Sequence, residues 1–296
     1  MLTWACFLTV VLAWGASYLA IAVALRSFSP MGLVAARCVL AALVCLALGR
    51  WRRERWPRAA DLGRVALLGA LLIAGSNGFT TLAQKQVPSG LAGLMHALTS
   101  VWLVLFSWRR EQPGPWAAAG AVSGLLGVGV LLLPTAHGPV HAAGLGLLLL
   151  GTLTFSSGTM FQRHFGPLAG RFTQLGLQMC AAAAITGALA LGQGGLLVAP
   201  PGWDSGSAYV FLALVCSVLA FVCYGRVVED WPAARVGSWS VLTPLVAVAL
   251  GAALLREPLS ARLLTGATLI LGGVALVQFM SRHPPAAGAG EDADHG

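Results

Sequence analysis

Charge is what this sequence has least of. Only 9% of its 296 residues are Asp, Glu, Lys or Arg, against about 25% in a typical soluble domain. A water-soluble core of this size needs a polar coat that so few charges cannot supply. The apolar majority, 57% of the chain with a mean hydropathy of +0.81, must therefore face a medium other than water, and lipid is the natural one. Carboxylates are missing from the apolar runs: Asp61, Glu111, Asp204, Glu229, Asp230 and Glu257 fall at their ends or between them. That argues against the simplest proton or sodium relay through an intramembrane acid. No glycine-rich phosphate loop ending in Lys-Ser or Lys-Thr occurs, which excludes ATP hydrolysis by that motif. Cys6, Cys38, Cys45, Cys180, Cys216 and Cys223 all lie within apolar runs without C-x-x-C spacing. They read as small hydrophobes, with neither a disulfide framework nor a metal site. His137 and His141 are split by Pro139 and lack further ligands, so neither a metal nor a cofactor is expected.

What is present is a series of long apolar runs. They span roughly 3–25, 30–48, 62–82, 90–108, 115–133, 143–163, 171–191, 207–227, 233–255 and 260–280. The breaks carry Pro, Gly or charge, as at Ser29-Pro30, Trp56-Pro57, Val87-Pro88, Gln112-Pro113-Gly114, Pro200-Pro201-Gly202, Trp231-Pro232 and Glu257-Pro258. Proline just inside a start suits a helix N-terminus, where its missing N–H costs nothing. The runs are too long, and too little alternating, for a lipid-facing barrel. They predict an all-α integral membrane fold of about ten transmembrane helices. The first run has no basic stretch ahead of it and is long for a signal peptide, so it is expected to be a retained helix. Residues 284–296, small and acidic, are expected to be a disordered tail.

The net charge of +8 sits in short connections, the pattern that writes membrane orientation; no nucleic-acid partner is expected. With the N-terminus inside, the inner face holds Arg50, Arg52, Arg53, Arg55, Arg58, Arg64, Arg109, Arg110, Arg163, Arg171, Arg226, Arg235 and Arg282, and the outer face Arg26, Lys85, Arg256 and Arg262. The bias predicts both termini in the cytoplasm. Trp51, Trp56, Trp108 and Trp116 near run ends suit the interfacial belt.

The two halves resemble each other. Val87-Pro88-Ser89-Gly90 parallels Trp231-Pro232-Ala233-Ala234, Arg110-Glu111 parallels Arg256-Glu257, Gly120 and Gly127 parallel Gly266 and Gly273, and Arg37 falls near Gln178. Five runs per half make the copies enter the membrane in opposite senses, a 5+5 inverted repeat with units at 1–138 and 139–283. In such carriers the solute site lies near the midplane between the halves.

Trp14-Gly15, Ser29-Pro30 leading to Ala36-Arg37, Pro88-Ser89-Gly90 with Leu98-Thr99, Trp231-Pro232-Ala233-Ala234 leading to Leu242-Thr243-Pro244, and Arg256-Glu257-Pro258-Leu259-Ser260 occur in this order across nearly the whole chain. In this arrangement the sequence resembles the EamA-type members of the drug/metabolite transporter superfamily. Arg256 stands where that family usually has Gly before Glu-Pro, and Arg110-Glu111-Gln112-Pro113 is a loose copy of the same turn. The resemblance implies a 5+5 inverted bundle, a central cavity, cytoplasmic termini, and transport, often export, of amino acids, metabolites or drug-like compounds.

The sparse intramembrane polar groups are the candidate cavity residues. Arg37 lies seven residues past Pro30, about 10 Å along a helix. A central Arg costs about 2.5–3.5 kcal/mol on insertion scales, so it either lines a cavity or anchors by snorkelling or pairing with carbonyls. His96, able to titrate near neutral pH, has Thr99 and Ser100 on the same helical face. Asn77 sits among Gly75, Ser76 and Gly78, which either free carbonyls toward a cavity or allow close packing. Gln178, Tyr224, Trp239, Ser240 and Thr243 are candidates in the second half, and Trp14 and Tyr18 in the first. The ladders Ala16, Ala20, Ala24 and Gly120, Gly124 suit close helix contact within the bundle, or a homodimer seam. The function expected is a secondary transporter, in the exporting direction, for a neutral, zwitterionic or amphipathic small molecule. The rival is a membrane-embedded enzyme with His96 and Ser100 as a nucleophilic pair, but no G-x-S-x-G elbow supports it.

Overall fold

The structure, a computed structural model, describes residues 1–111, 115–132, 142–231, 239–257 and 259–280. The turns Gln112-Pro113-Gly114 and Pro232-Ala233-Ala234, Pro258, the pair His137 and His141, Arg235, Arg282 and the acidic tail lie outside those residues, as do the side chains of Trp108, Arg109, Arg110 and Glu111.

The described chain is helical, with one isolated antiparallel bridge between Phe28 and Leu197. The helices are α1 (Leu2–Ala24), α2 (Pro30–Trp51), α3 (Ala59–Ala83), α4 (Ser89–His96), α5 (Thr99–Glu111), α6 (Pro115–Leu132), α7 (Ala142–Phe165), α8 (Arg171–Gly192), α9 (Trp203–Asp230), α10 (Trp239–Leu255) and α11 (Ala261–Met280). Six of them, α1, α2, α3, α7, α8 and α9, are long and apolar enough to cross a membrane. Shorter apolar stretches occupy α6, α10 and α11. Large hydrophobes stand on the outside of the bundle, among them Leu12, Val39, Leu43, Leu126, Ile185, Leu189 and Leu245. Such a surface suits hydrocarbon. Trp51, Trp56 and Trp116 are exposed near helix ends, as interfacial anchors require.

One expected helix is broken. The run at 90–108 forms α4 and α5, which meet in a turn at Ala97 and Leu98. There Ala97 N–H donates to Leu94 O and Leu98 N–H to Met95 O, both at 3.1 Å. These three-residue steps tighten the chain, so His96 and the pair Thr99, Ser100 no longer share one regular helical face. Both α3 and α9 contain π-helical turns, at Gly69–Gly75 and Phe211–Leu219.

The closest packing is α2 on α8 and α6 on α11. The second seam is a glycine contact. A Cβ on Gly273 would lie 2.4 Å from Gly120 O, and one on Gly127 would lie 2.9 Å from Gly266 O. The Gly120–Gly124 ladder is thus used inside the chain, and Ala20 and Ala24 are buried likewise.

Two carboxylates tie distant helices together. Beyond α2, Arg53 takes a left-handed φ of 53° and sends Glu54 to the start of α8, where its Oε2 accepts from Thr173 N (2.8 Å) and Thr173 Oγ1 (3.1 Å). Beyond α10, Arg256 takes a φ of 56° and sends Glu257 to the start of α4. Its Oε1 accepts from Ser89 N and Ser89 Oγ (2.7 Å each), its Oε2 from Gly90 N (2.9 Å). Orphan N–H groups and the positive end of the helix dipole are met by an anion in both places.

Two outcomes follow for thermal melts in detergent. Gly273→Leu must overpack against backbone and is expected to destabilise by about 1–3 kcal/mol, whereas Gly272→Leu, with open space beside it, is expected to be neutral. Arg256→Gly relieves a left-handed non-glycine residue and is expected to stabilise by about 1 kcal/mol.

Candidate functional site

The bundle holds a cavity of about 500 Å³ among α3, α7, α8 and α9. Pockets for small molecules run to about 300–1,000 Å³, so it has room for a metabolite. Its polar wall is neutral amide and hydroxyl: Thr159 and Gln162 from α7, Gln174 and Gln178 from α8, Tyr224 from α9. Leu72, Leu175, Phe221 and Val228 supply the apolar wall. Arg163 stands at the mouth, and the Arg171 guanidinium is paired with the Glu229 carboxylate across α8 and α9. The spacing of these groups explains their convergence. Gln174 and Gln178 are four apart on α8, and Phe221, Tyr224 and Val228 repeat at three and four on α9, so each set projects from one face.

Leu72 and Phe221 also line a second space of about 40 Å³, with Trp14, Ser17, Tyr18, Ser76, Asn77, His96, Phe155 and Trp239. That volume holds roughly one water molecule, so the space is a neck and not a solute site in this state. Its walls are aromatic. Trp14 lies 4.8 Å from Trp239, 5.1 Å from Tyr224 and 5.2 Å from Phe221, centroid to centroid. His96 is 5.8 Å from Tyr18 and 6.2 Å from Phe155. Trp14 is held in place by its indole N–H donating to Cys216 O at 3.2 Å. Aromatic edges and faces contact both apolar and cationic groups favourably.

The residues singled out from sequence divide into three groups. Gln178 and Tyr224 line the cavity; Trp14, Tyr18, Asn77, His96 and Trp239 line the neck. Arg37, Thr99, Ser100, Ser240 and Thr243 line neither space. Arg37 is 3% exposed and donates from Nε to Ser217 Oγ at 3.0 Å, joining α2 to α9. Ser100 Oγ lies 2.6 Å from Ser240 Oγ, joining α5 to α10. His96 Nδ1 has no hydrogen-bond partner, so the geometry lends no support to a His96–Ser100 nucleophilic pair through that atom. The hydroxyls of Thr99 and Thr243 are also buried without a partner. A buried polar atom left so costs about 1–3 kcal/mol, a burden usually tolerated where function needs the group.

Several lining residues escaped the sequence reading, notably Gln162, Gln174, Phe221 and Leu72. The glutamines were legible, since amides are rare in apolar runs and Gln174 stands one turn before Gln178. Leu72 and Phe221 carry no chemical mark. Only the fold shows that they divide cavity from neck.

Comparison with known proteins places the chain among membrane transporters of one family. The model of the EamA-like transporter family matches twice, at residues 2–133 and 142–279. YedA, an uncharacterized inner membrane transporter of Escherichia coli K12, is 28% identical over 255 residues, covering 83% of this chain and 81% of its own. A probable terminal-alkyne amino-acid exporter of Streptantibioticus cattleyicolor is 28% identical over 93% of this chain and 92% of its own. A probable amino-acid metabolite efflux pump of Salmonella typhimurium is 25% identical over 92% and 93%. One solved crystal structure shares the fold, with a TM-score of 0.66 at 24% identity over 94% of this chain and 96% of that one. With both matches together spanning most of its length, the chain belongs to the EamA-like transporter family.

Proposed function

We propose that this protein is a secondary carrier of the cytoplasmic membrane that exports small neutral or zwitterionic amphipathic solutes, amino acids among them, by alternating access. The observation that carries the reading is the cavity of about 500 Å³ with a much smaller aromatic-lined space beside it, the two sharing Leu72 and Phe221 as walls. A chamber open at one end and constricted at the other is what one state of such a carrier needs. Neutral amides in its wall, with a tied Arg171–Glu229 pair at the mouth, suit a solute with little net charge. The relatives named as amino-acid and metabolite exporters support the substrate class and the direction.

The alternation rests on a 5+5 inverted repeat, with units at 1–138 and 139–283. In this reading α1, α2, α3, α4–α5 and α6 correspond to α7, α8, α9, α10 and α11. Several contacts support it. The pairs α2–α8 and α6–α11 join corresponding helices; α3 packs on α7 as α1 packs on α9, and α1 packs on α10 as α4 and α5 pack on α7. The π-helical turns fall in the corresponding helices α3 and α9, and such turns recur at functional sites. The Gly273–Gly120 and Gly127–Gly266 contacts exchange under the same relation. The family model's two matches agree with the division. The positive residues Arg163 and Arg171 beside the cavity support a cytoplasmic location for that end, in keeping with the expected cytoplasmic termini.

Proteoliposomes loaded with labelled amino acids and common metabolites, with and without a pH gradient, test the reading. Counterflow of at least one solute, chemically unchanged, is expected; modification of its mass without movement overturns it. Gln178→Leu removes one cavity hydrogen bond worth about 1 kcal/mol and is expected to raise the half-saturating concentration about fivefold. Leu189→Ala, on the exposed outer surface of α8, is expected to leave it unchanged.

A further inference from the structure

The polar face of α3 runs on beyond the neck. Ser76 and Asn77 of α3 line it, and the same helical face goes on through Thr80, Thr81 and Gln84. The steps of three, four, seven and eight residues keep these side chains together, over about 12 Å of helix. Thr81 is fully buried and Thr80 nearly so, and their hydroxyls have no partner. Both polar atoms of the Gln84 amide are in the same condition. So are His96 Nδ1 at the neck and the Thr99 hydroxyl. Thr80 and Thr99 abut the same stretch of α7: the Thr80 hydroxyl lies against Gly151, and Thr99 O accepts from Ser156 Oγ at 3.2 Å. A permanently dry seam between helices gains nothing from unpaired hydroxyls and amides; Val, Ala or Leu packs there without loss. Groups that are dry in one state and wet in another need the opposite choice.

The end toward which this stripe runs is also the end that is clamped. Five residues past Gln84, Ser89 opens α4, and it is there that Glu257 from the end of α10 makes its three hydrogen bonds. The carboxylate lies in a slot floored by glycine: a Cβ on Gly251 would come within 2.4 Å of Glu257 Oε2, and one on Gly90 within 3.2 Å. The large cavity lies toward the other end of α3, lined by Gln162, Arg163 and Gly166 at the end of α7, where Arg64 lies over the Phe165 ring.

We propose that the Thr80–Thr81–Gln84 stripe, which continues the α3 face that meets His96 at the neck, is the far half of the solute path, and that the Glu257 clamp is the latch that keeps it shut while the near cavity is open. The inference rests on the carrier reading and adds to it the residues that line the second route and the contact that must break to open it. Uncharged hydroxyl and amide groups line this route, so it passes water and the polar head of a neutral or zwitterionic solute.

Cysteine is placed singly at Thr81, at Gln84 and, as a lipid-facing control, at Val39, in the full chain in proteoliposomes. Each is exposed to a membrane-impermeant maleimide, with the parent chain's own labelling subtracted. With Glu257→Ala added, labelling of Thr81→Cys and Gln84→Cys is expected to run several-fold faster, and Val39→Cys to stay unlabelled. Ser89→Ala, which removes one of the three bonds, is expected to give a smaller rise and stands in if Glu257→Ala does not fold. Labelling at 81 and 84 as slow as at 39, with the clamp intact and weakened in monodisperse protein, overturns the proposal. Thr80→Val and Thr81→Val provide a second readout. A path residue loses uptake several-fold without loss of melting temperature; unchanged amino-acid uptake in both variants overturns the assignment. Failure of the parent chain to move any solute instead removes the carrier reading, while the labelling still decides whether the stripe opens to water.

Discussion

Hydrocarbon offers no hydrogen bonds, and that single constraint organises the molecule. Every backbone group within the apolar runs must find its partner inside the chain, which is why the described residues are helical almost throughout. Helix ends are the weak point of that solution, because their first N–H groups have no intrahelical acceptor. Glu54 and Glu257 meet two of them from far away in sequence, each launched by an arginine in the left-handed conformation. These carboxylates cap helices and at the same time join α2 to α8 and α10 to α4. The polar groups that stay without partners therefore stand out: Thr80, Thr81 and Gln84 along α3, His96 at the neck, and Thr99 and Thr243 beside neither space.

This distribution connects the fold to carriage. A transporter needs surfaces that are dry in one arrangement and wet in another, so it must keep polar groups where a purely structural bundle would have none. The cavity wall includes Gln174, Gln178 and Tyr224. The neck is packed ring on ring around Trp14. Rings meet across α1, α9 and α10 by edges and faces, and the Trp14 indole bond to Cys216 O ties α1 to α9. Arg37, by contrast, is committed to Ser217, which fits an anchor between α2 and α9 better than a group facing the solute.

Much of the fold was legible because its main signal is crude. Long apolar runs broken by Pro, Gly and Arg locate the helices within a few residues, and the glycines at 120, 127, 266 and 273, read from sequence as a mark of the repeat, lie in the α6–α11 seam. The break at Ala97–Leu98 was not legible, since Leu-Met-His-Ala-Leu-Thr-Ser contains no helix breaker. The candidate site was half legible. Intramembrane polar and aromatic residues at 14, 18, 77, 96, 178, 224 and 239 do line the two spaces. Ser100 and Ser240 are chemically no different from them, yet bond each other across the α5–α10 contact, and only tertiary structure distinguishes the two fates. Glu54 was overlooked although Arg53-Glu54 repeats the Arg-Glu pair of 110–111 and 256–257. The α3 stripe was overlooked although Ser76, Asn77, Thr80, Thr81 and Gln84 have plain helical spacing. Both signals lie in repetition, not in any one residue.

The central claim is that the cavity between α7 and α9 is one of two states, exchanged as solute passes. Spin labels at Gln162 and Val228, which line it on opposite helices, report the width of its mouth by pulsed electron resonance in lipid nanodiscs. Two distance populations are expected, with their ratio shifted by a transported amino acid and not by a non-transported analogue. A single distance distribution, unchanged when the transported solute is bound, would contradict the account.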